Sequence, residues 1–240
     1  MAECQMITHE IVRGDTLYRL AQKYKTTVPL ILLANPGIDP YNLQVGTRLK
    51  ICKGNWHVQK PSMDEIQMSG DLLQAMLKYV GWLKVYFIAL SGSADRQREA
   101  AQKAEQAANG VVDVLAAFYP EAVTMKLREH FARGYTLDLM SYANATNNRD
   151  DMAAENFEER ISGHAEEIAA LLTQYNRFYN KENIEEALEE LPEVAEEIVI
   201  AARSGNTTAE FAGFDKMHVW AEEVAGYLAE GLRREFYREG

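Results

Sequence analysis

No apolar run in this chain approaches the roughly 20 residues that a membrane-spanning helix requires; the longest candidate, Val80 to Leu90, is interrupted by Lys84. A spanning helix is therefore excluded as the reading of any segment. Cysteine is almost absent. Cys4 and Cys52 are too few for a disulfide framework and fit no zinc spacing, which leaves free thiols, a bridge or an intermolecular cross-link open. Proline is scarce after residue 63, where only Pro120 and Pro192 occur, so nothing prevents long helices there. Positive charge is also short. Lys and Arg number 25 against 36 Asp and Glu, a net charge of −11. The deficit is uneven, because residues 1–52 carry about +2 and the remainder about −13. Nucleic acid is therefore excluded as a partner of the larger part. The opening Met1-Ala-Glu-Cys-Gln-Met-Ile has neither a basic n-region nor an apolar h-region. The expectation is a protein made in the cytoplasm without a signal peptide.

What is present begins at His9. An apolar pair, Ile11 and Val12, precedes Gly14-Asp15-Thr16. The turn leads directly into apolar residues at Leu17, Leu20, Ala21 and Tyr24, the i, i+3, i+4, i+7 spacing of an amphipathic helix. Gly14 supplies a turn conformation that a side chain hinders, and Asp15 or Thr16 can cap the helix. A second short helix is expected over Val28 to Ala34, with Thr27 as its cap and Pro29 in its first turn. Asn35-Pro36-Gly37-Ile38 stops it. A strand from Leu43 to Ile51 closes the segment, giving the order strand, helix, helix, strand.

These residues resemble the lysin motif, LysM, a βααβ module that binds N-acetylglucosamine glycans such as peptidoglycan and chitin. The resemblance implies a shallow sugar groove between two loops. By position, Gly14, Asp15, Thr16 and Leu17 form one side and Asn35, Pro36, Gly37 and Ile38 the other, with Tyr18 at a common aromatic position. The alternative is that these residues only build the turns. Leu30 and Leu33 depart from the polar pattern and fall off the face of Val28, Ile31 and Ala34, the expected core. They read as a docking surface for the second domain or for another chain, leaving a homo-oligomer or protein partner open.

Residues 53–63 lack periodicity and carry Gly54 and Pro61, the mark of a linker. Helical spacing then predicts six helices over 64–91, 95–118, 120–146, 149–176, 182–203 and 207–237. The breaks between them are short, so the expected fold is a small α+β LysM domain (1–52) followed by an all-α, up-and-down antiparallel bundle (64–240). Ala165-Glu-Glu-Ile-Ala-Ala-Leu-Leu172 and Ala221-Glu-Glu-Val-Ala-Gly-Tyr-Leu228 form a weak internal repeat. The bundle also resembles small all-helical proteins of uncertain function from Gram-positive, often spore-forming bacteria. That likeness rests on Trp82, Tyr86-Phe-Ile88, Phe118-Tyr119, Leu127-Arg-Glu-His130, Ala165 to Leu171 and Phe214-Asp-Lys-Met-His218.

Catalytic signals are few. No phosphate loop, zinc cluster or nucleophile with base and orienter is present, and the reading carries no catalytic residue, cofactor or metal. His130, Asp215 and His218 all lie beside apolar stripes and are expected to meet as a buried polar cluster. The run from Glu185 to Glu197 alternates with apolar residues as a solvated helix face does. The expected function is a non-catalytic one, in which the LysM tethers the bundle to wall or spore-cortex glycan. The rivals are a LysM-targeted enzyme, whether a wall hydrolase or a metal-dependent bundle, and a LysM used as an assembly piece of a phage or injection-tail machine.

Overall fold

In a computed structural model of the chain, residues 5–24, 26, 31, 34–35, 38, 43–53 and 63–237 are described. They belong to two compact units, Met1–Lys60 and Pro61–Gly240.

In the first unit, strand β1 (Gln5–Glu10), helix α1 (Leu17–Tyr24) and strand β2 (Arg48–Lys53) surround one small core. The strands pair antiparallel, with Ile7 opposite Ile51 and His9 opposite Leu49. Successive strand residues face opposite sides, so Ile7, His9 and Ile11 turn inward while Met6, Thr8 and Glu10 are exposed. Leu17, Leu20 and Ala21 of α1 pack with Ile11, Ile31, Leu49 and Ile51, and Tyr24 and Ile38 lie against them. The helical spacing read from the sequence is therefore the spacing of the core. Ile31 is buried as expected. Thr27, Val28, Pro29, Leu30, Leu33, Pro36 and Gly37 lie outside the described residues, as does Cys4.

The second unit is all helical. It runs α2 (Glu65–Ala89), α3 (Ala94–Leu115), α4 (Glu121–Leu127), a π segment (Arg128–Tyr135), α5 (Thr136–Asn148), α6 (Asp151–Tyr175), α7 (Lys181–Ser204) and α8 (Thr207–Phe236). Helix α2 packs on α3 and on α8, α6 packs on both α5 and α7, and α7 packs on α8. The first and last helices thus close an up-and-down bundle around one core. Short polar residues set the helix starts. Asp64, Ser93, Asp150, Asn180 and Asn206 each accept the backbone N–H three residues on, satisfying a donor that the first turn leaves open. The repeat read from the sequence marks equivalent core positions, since Ala165, Ala169 and Leu172 are buried, as are Ala221, Ala225 and Leu228. The acidic residues from Glu186 to Glu197 are exposed along α7.

The helix expected over 120–146 is corrected to three pieces, because its middle turns widen into the π segment. The Thr136 N–H reaches back five residues to the carbonyl of Phe131, and the Thr136 hydroxyl donates to the same oxygen. A second local irregularity faces it. Pro192 lies inside α7 and has no N–H for the carbonyl of Leu188, four residues earlier. The phenol of Tyr135, at the end of the π segment, donates to that carbonyl instead. The indole of Trp220 donates to Ala187, one residue before. The buried Leu188 carbonyl, which the proline would orphan, is thereby paired from another element.

Candidate functional site

The loop between β1 and α1 is built by its own side chains. Val12 to Asp15 form a tight turn closed by the Asp15 N–H to the Val12 carbonyl (3.0 Å). Gly14 sits at φ +94°, a conformation that other residues adopt only at a cost. The Asp15 carboxylate then braces the turn, since its Oδ2 accepts from the Val12 N–H at 2.8 Å and lies 2.8 Å from Nε2 of buried His9. The other ring nitrogen of His9 meets the Tyr24 hydroxyl at 2.8 Å. Thr16 is the residue that caps α1, through Oγ1 accepting from the Arg19 N–H (3.2 Å), and Arg19 donates to the Gly14 carbonyl. Asp15, the other capping candidate, braces the turn instead.

The Val12 N–H and His9 together hold the Asp15 carboxyl below its ordinary range, against an opposing effect of burial. A carboxyl acidified by folding stabilises the fold above its unfolded value, near 4, and loses that contribution as pH falls through the lower folded value. Asp15→Ala is expected to destabilise the first unit by about 1–2 kcal/mol at neutral pH. It should also flatten the unit's loss of stability below about pH 4. Thermal melts of the intact chain from pH 2 to 7, read at amide signals of the first unit, check both.

On the opposite side, Asn35 is tied to β2. Its amide donates to the carbonyls of Ile31 (2.6 Å) and Lys50 (2.7 Å), and its Oδ1 accepts from the Lys50 N–H (2.8 Å). The Ile38 N–H reaches the Asn35 carbonyl, and Ile38 is half-buried on the core. Leu17 is fully a core residue. Tyr18 is the second residue of α1, and its side chain lies outside the described residues. The side chains of Asp15, Thr16 and Asn35 thus bond within the unit, and those of Leu17 and Ile38 pack on its core. The N–H groups of Leu17 and Tyr18 have no partner within α1, as at any helix start.

This framework begins at the buried ring of His9 and closes at Ile51 in the core. Residues 9–51 match the LysM domain. LysM domains bind peptidoglycan and other N-acetylglucosamine glycans, and the LysM here lies wholly within the first unit. Comparison with curated proteins and with solved structures yields no match for the chain. No helix among the described residues is long and apolar enough to cross a membrane, and the LysM suggests association with a cell wall.

The polar cluster expected of His130, Asp215 and His218 is corrected. Asp215 and His218 are exposed on α8, where His218 has a side-chain exposure of 58% and faces Glu222 (3.5 Å). His130, on the π segment, meets His164 of α6 instead (Nδ1 to Nδ1, 3.4 Å). His164 Nε2 in turn faces Asp138 Oδ2 (3.4 Å), and Arg160 bonds the other oxygen of Asp138 (2.8 Å). Asp138 is only 4% exposed. Burial lowers the affinity of His164 for a proton, helped by His130 and Arg160 and opposed by Asp138. The available signal was the spacing of Arg160 and His164, which places both on one helix face. Their partner Asp138 could not be assigned without the π segment that orients α5. Among the described residues no group of three or more His, Cys, Asp or Glu could hold a metal ion.

Proposed function

We propose that residues 1–52 form a non-catalytic glycan-binding domain that tethers an acidic helical bundle, residues 64–240, to peptidoglycan through the linker at 53–63. The LysM match over residues 9–51 carries this reading. The groove is assigned to the backbone of Gly14, Asp15, Thr16 and Leu17 on one side and of Asn35, Pro36, Gly37 and Ile38 on the other. Support comes from the way Asp15 and Asn35 brace those loops from within. Rigid loops present their amides and carbonyls to N-acetyl groups without an ordering cost at the moment of binding. The charge of about +2 over residues 1–52 favours an anionic wall polymer.

One shallow groove buries little surface, so a single LysM binds weakly. Retention on a repetitive polymer then depends on several copies acting together. The intact chain is expected to sediment with insoluble peptidoglycan, and a chain lacking residues 1–60 is expected to stay in solution. An NMR titration with a soluble N-acetylglucosamine oligomer should move the amides of Gly14 to Leu17 and of Asn35 and Ile38. Shifts confined to other residues would sink this groove, and equal sedimentation of both chains would sink the tether.

A further inference from the structure

The bundle is not solid. A cavity of about 320 Å³ runs inward between α7 and α8, more than twice the volume of an engineered apolar cavity of about 150 Å³ that stays dry and binds benzene. Its inner wall is drawn from most of the helices, with Met76 of α2, Val112 of α3, Leu127 of α4, Phe131 of the π segment, Ile168 of α6 and Trp220 of α8. All six side chains are buried. The one polar atom they bring, the indole nitrogen of Trp220, is already bonded to the Ala187 carbonyl. Interiors normally pack without voids of this size, and a water placed here finds none of the two to four polar partners it needs. The inner wall therefore suits hydrocarbon.

The mouth has a different chemistry. Asn183, Ala187 and Glu190 line it from one face of α7, and Glu223 and Tyr227 line it from α8. Asn183, Glu190 and Glu223 are exposed, Ala187 and Tyr227 half-buried. Tyr227 is held in place by accepting the Asn180 N–H (2.8 Å). Neither Glu190 nor Glu223 forms an ion pair with a described Lys or Arg, whereas Glu197 and Glu230 nearby do so. Two carboxylates thus stand at the entrance of an apolar cavity in a chain of net charge −11. Such an entrance attracts cations and repels anions.

We propose that the helical unit binds a single-chain cationic amphiphile, its tail in this cavity and its ammonium group at the mouth beside Glu190 and Glu223. The cavity of about 320 Å³ is about ten times the roughly 30 Å³ that one molecule of liquid water occupies, and a methylene is of similar size to a water, so it accommodates a tail of roughly ten carbons. The same charges exclude a fatty-acid anion of equal length, because its carboxylate would stand against two others. This site lies wholly in the second unit and does not rest on the glycan reading.

Calorimetry of the intact chain with decyltrimethylammonium below its micelle concentration is expected to give one saturable site. Decanoate should bind at least tenfold more weakly, and Glu190→Gln with Glu223→Gln should remove about tenfold of that preference. Val224 of α8 is a half-buried lining residue; Ala187→Phe and Val224→Phe each place a ring in the cavity and should abolish binding while the far-ultraviolet circular dichroism is kept. A readout independent of those variants uses a chain brominated at its far end. In a Trp56→Phe, Trp82→Phe background it should quench the remaining tryptophan, Trp220, in proportion to occupancy. Absence of binding, equal binding of decanoate, many weak sites that Val224→Phe leaves unchanged, or no quenching of Trp220 would each overturn the proposal.

Discussion

Trp220→Ala is expected to destabilise the helical unit by about 3–5 kcal/mol, the range for truncating a large buried aromatic. The indole is 2% exposed and forms part of the cavity wall. Its removal would extend a void that already measures about 320 Å³. The neighbours cannot readily collapse into the new space, because they already stand apart across the old one, and cavity cost rises with the volume that remains. The Ala187 carbonyl also loses its indole donor. Trp220→Phe gives an intermediate case, since it keeps a six-membered ring in the wall but loses the N–H and the rest of the indole, for about 1–2 kcal/mol. Urea unfolding followed by far-ultraviolet circular dichroism reports mainly the helices, and a shift in midpoint at constant slope measures stability. A cost under 1 kcal/mol for the alanine would show that the indole contributes little to the wall.

Gly231→Ala should cost about 3 kcal/mol, although on an open helix face the same change is stabilising by roughly 0.5–1 kcal/mol. A Cβ at Gly231 would sit 1.9 Å from Cε1 of Tyr179. That ring has little room to retreat. It is 7% exposed, its hydroxyl donates to the Leu228 carbonyl (2.6 Å), and it stacks on Tyr227 with centroids 5.6 Å apart. Overpacking typically costs 1–3 kcal/mol, and displacing the ring also breaks a buried hydrogen bond worth about 1 kcal/mol. Steric cost therefore outweighs helix propensity. A double-mutant cycle with Tyr179→Ala tests the sign. With the ring gone, Ala at 231 should become neutral or stabilising, and a persistent penalty would locate the clash elsewhere.

Much of the first unit is legible from short-range rules, which work where partners are close along the chain. Gly14 reads as a turn because few other residues tolerate its backbone. Leu17, Leu20 and Ala21 read as a buried stripe because a helix repeats at 3.6 residues, and all three are buried. The roles of Asp15 and Asn35 were not legible in the same way. Asp15 could have capped α1, and only the approach of His9 and the Val12 N–H decides that it braces the turn. Asn35 bonds Lys50, fifteen residues away, across a contact that no local pattern encodes.

In the bundle the same division holds over longer distances. Capping residues and apolar periodicity determined where the helices run, which faces are buried and that the Glu-rich stripe of α7 meets solvent. Periodicity says that His130 and Asp215 lie near apolar stripes, but it does not say which stripes meet. The π segment rotates everything after it relative to a regular helix. His130, inside that segment, faces His164, while Asp215 and His218 lie on the exposed face of α8. The cavity lies still further from the sequence, because it is a mismatch of side-chain volumes drawn from helices up to 152 positions apart, Met76 to Leu228. The sequence by itself determined a LysM followed by amphipathic helices, since turn chemistry and helical period are properties of neighbouring residues. Only the tertiary structure decided that the acidic bundle encloses an apolar chamber with carboxylates at its mouth, since that depends on how helices distant in the chain fail to fill the space between them.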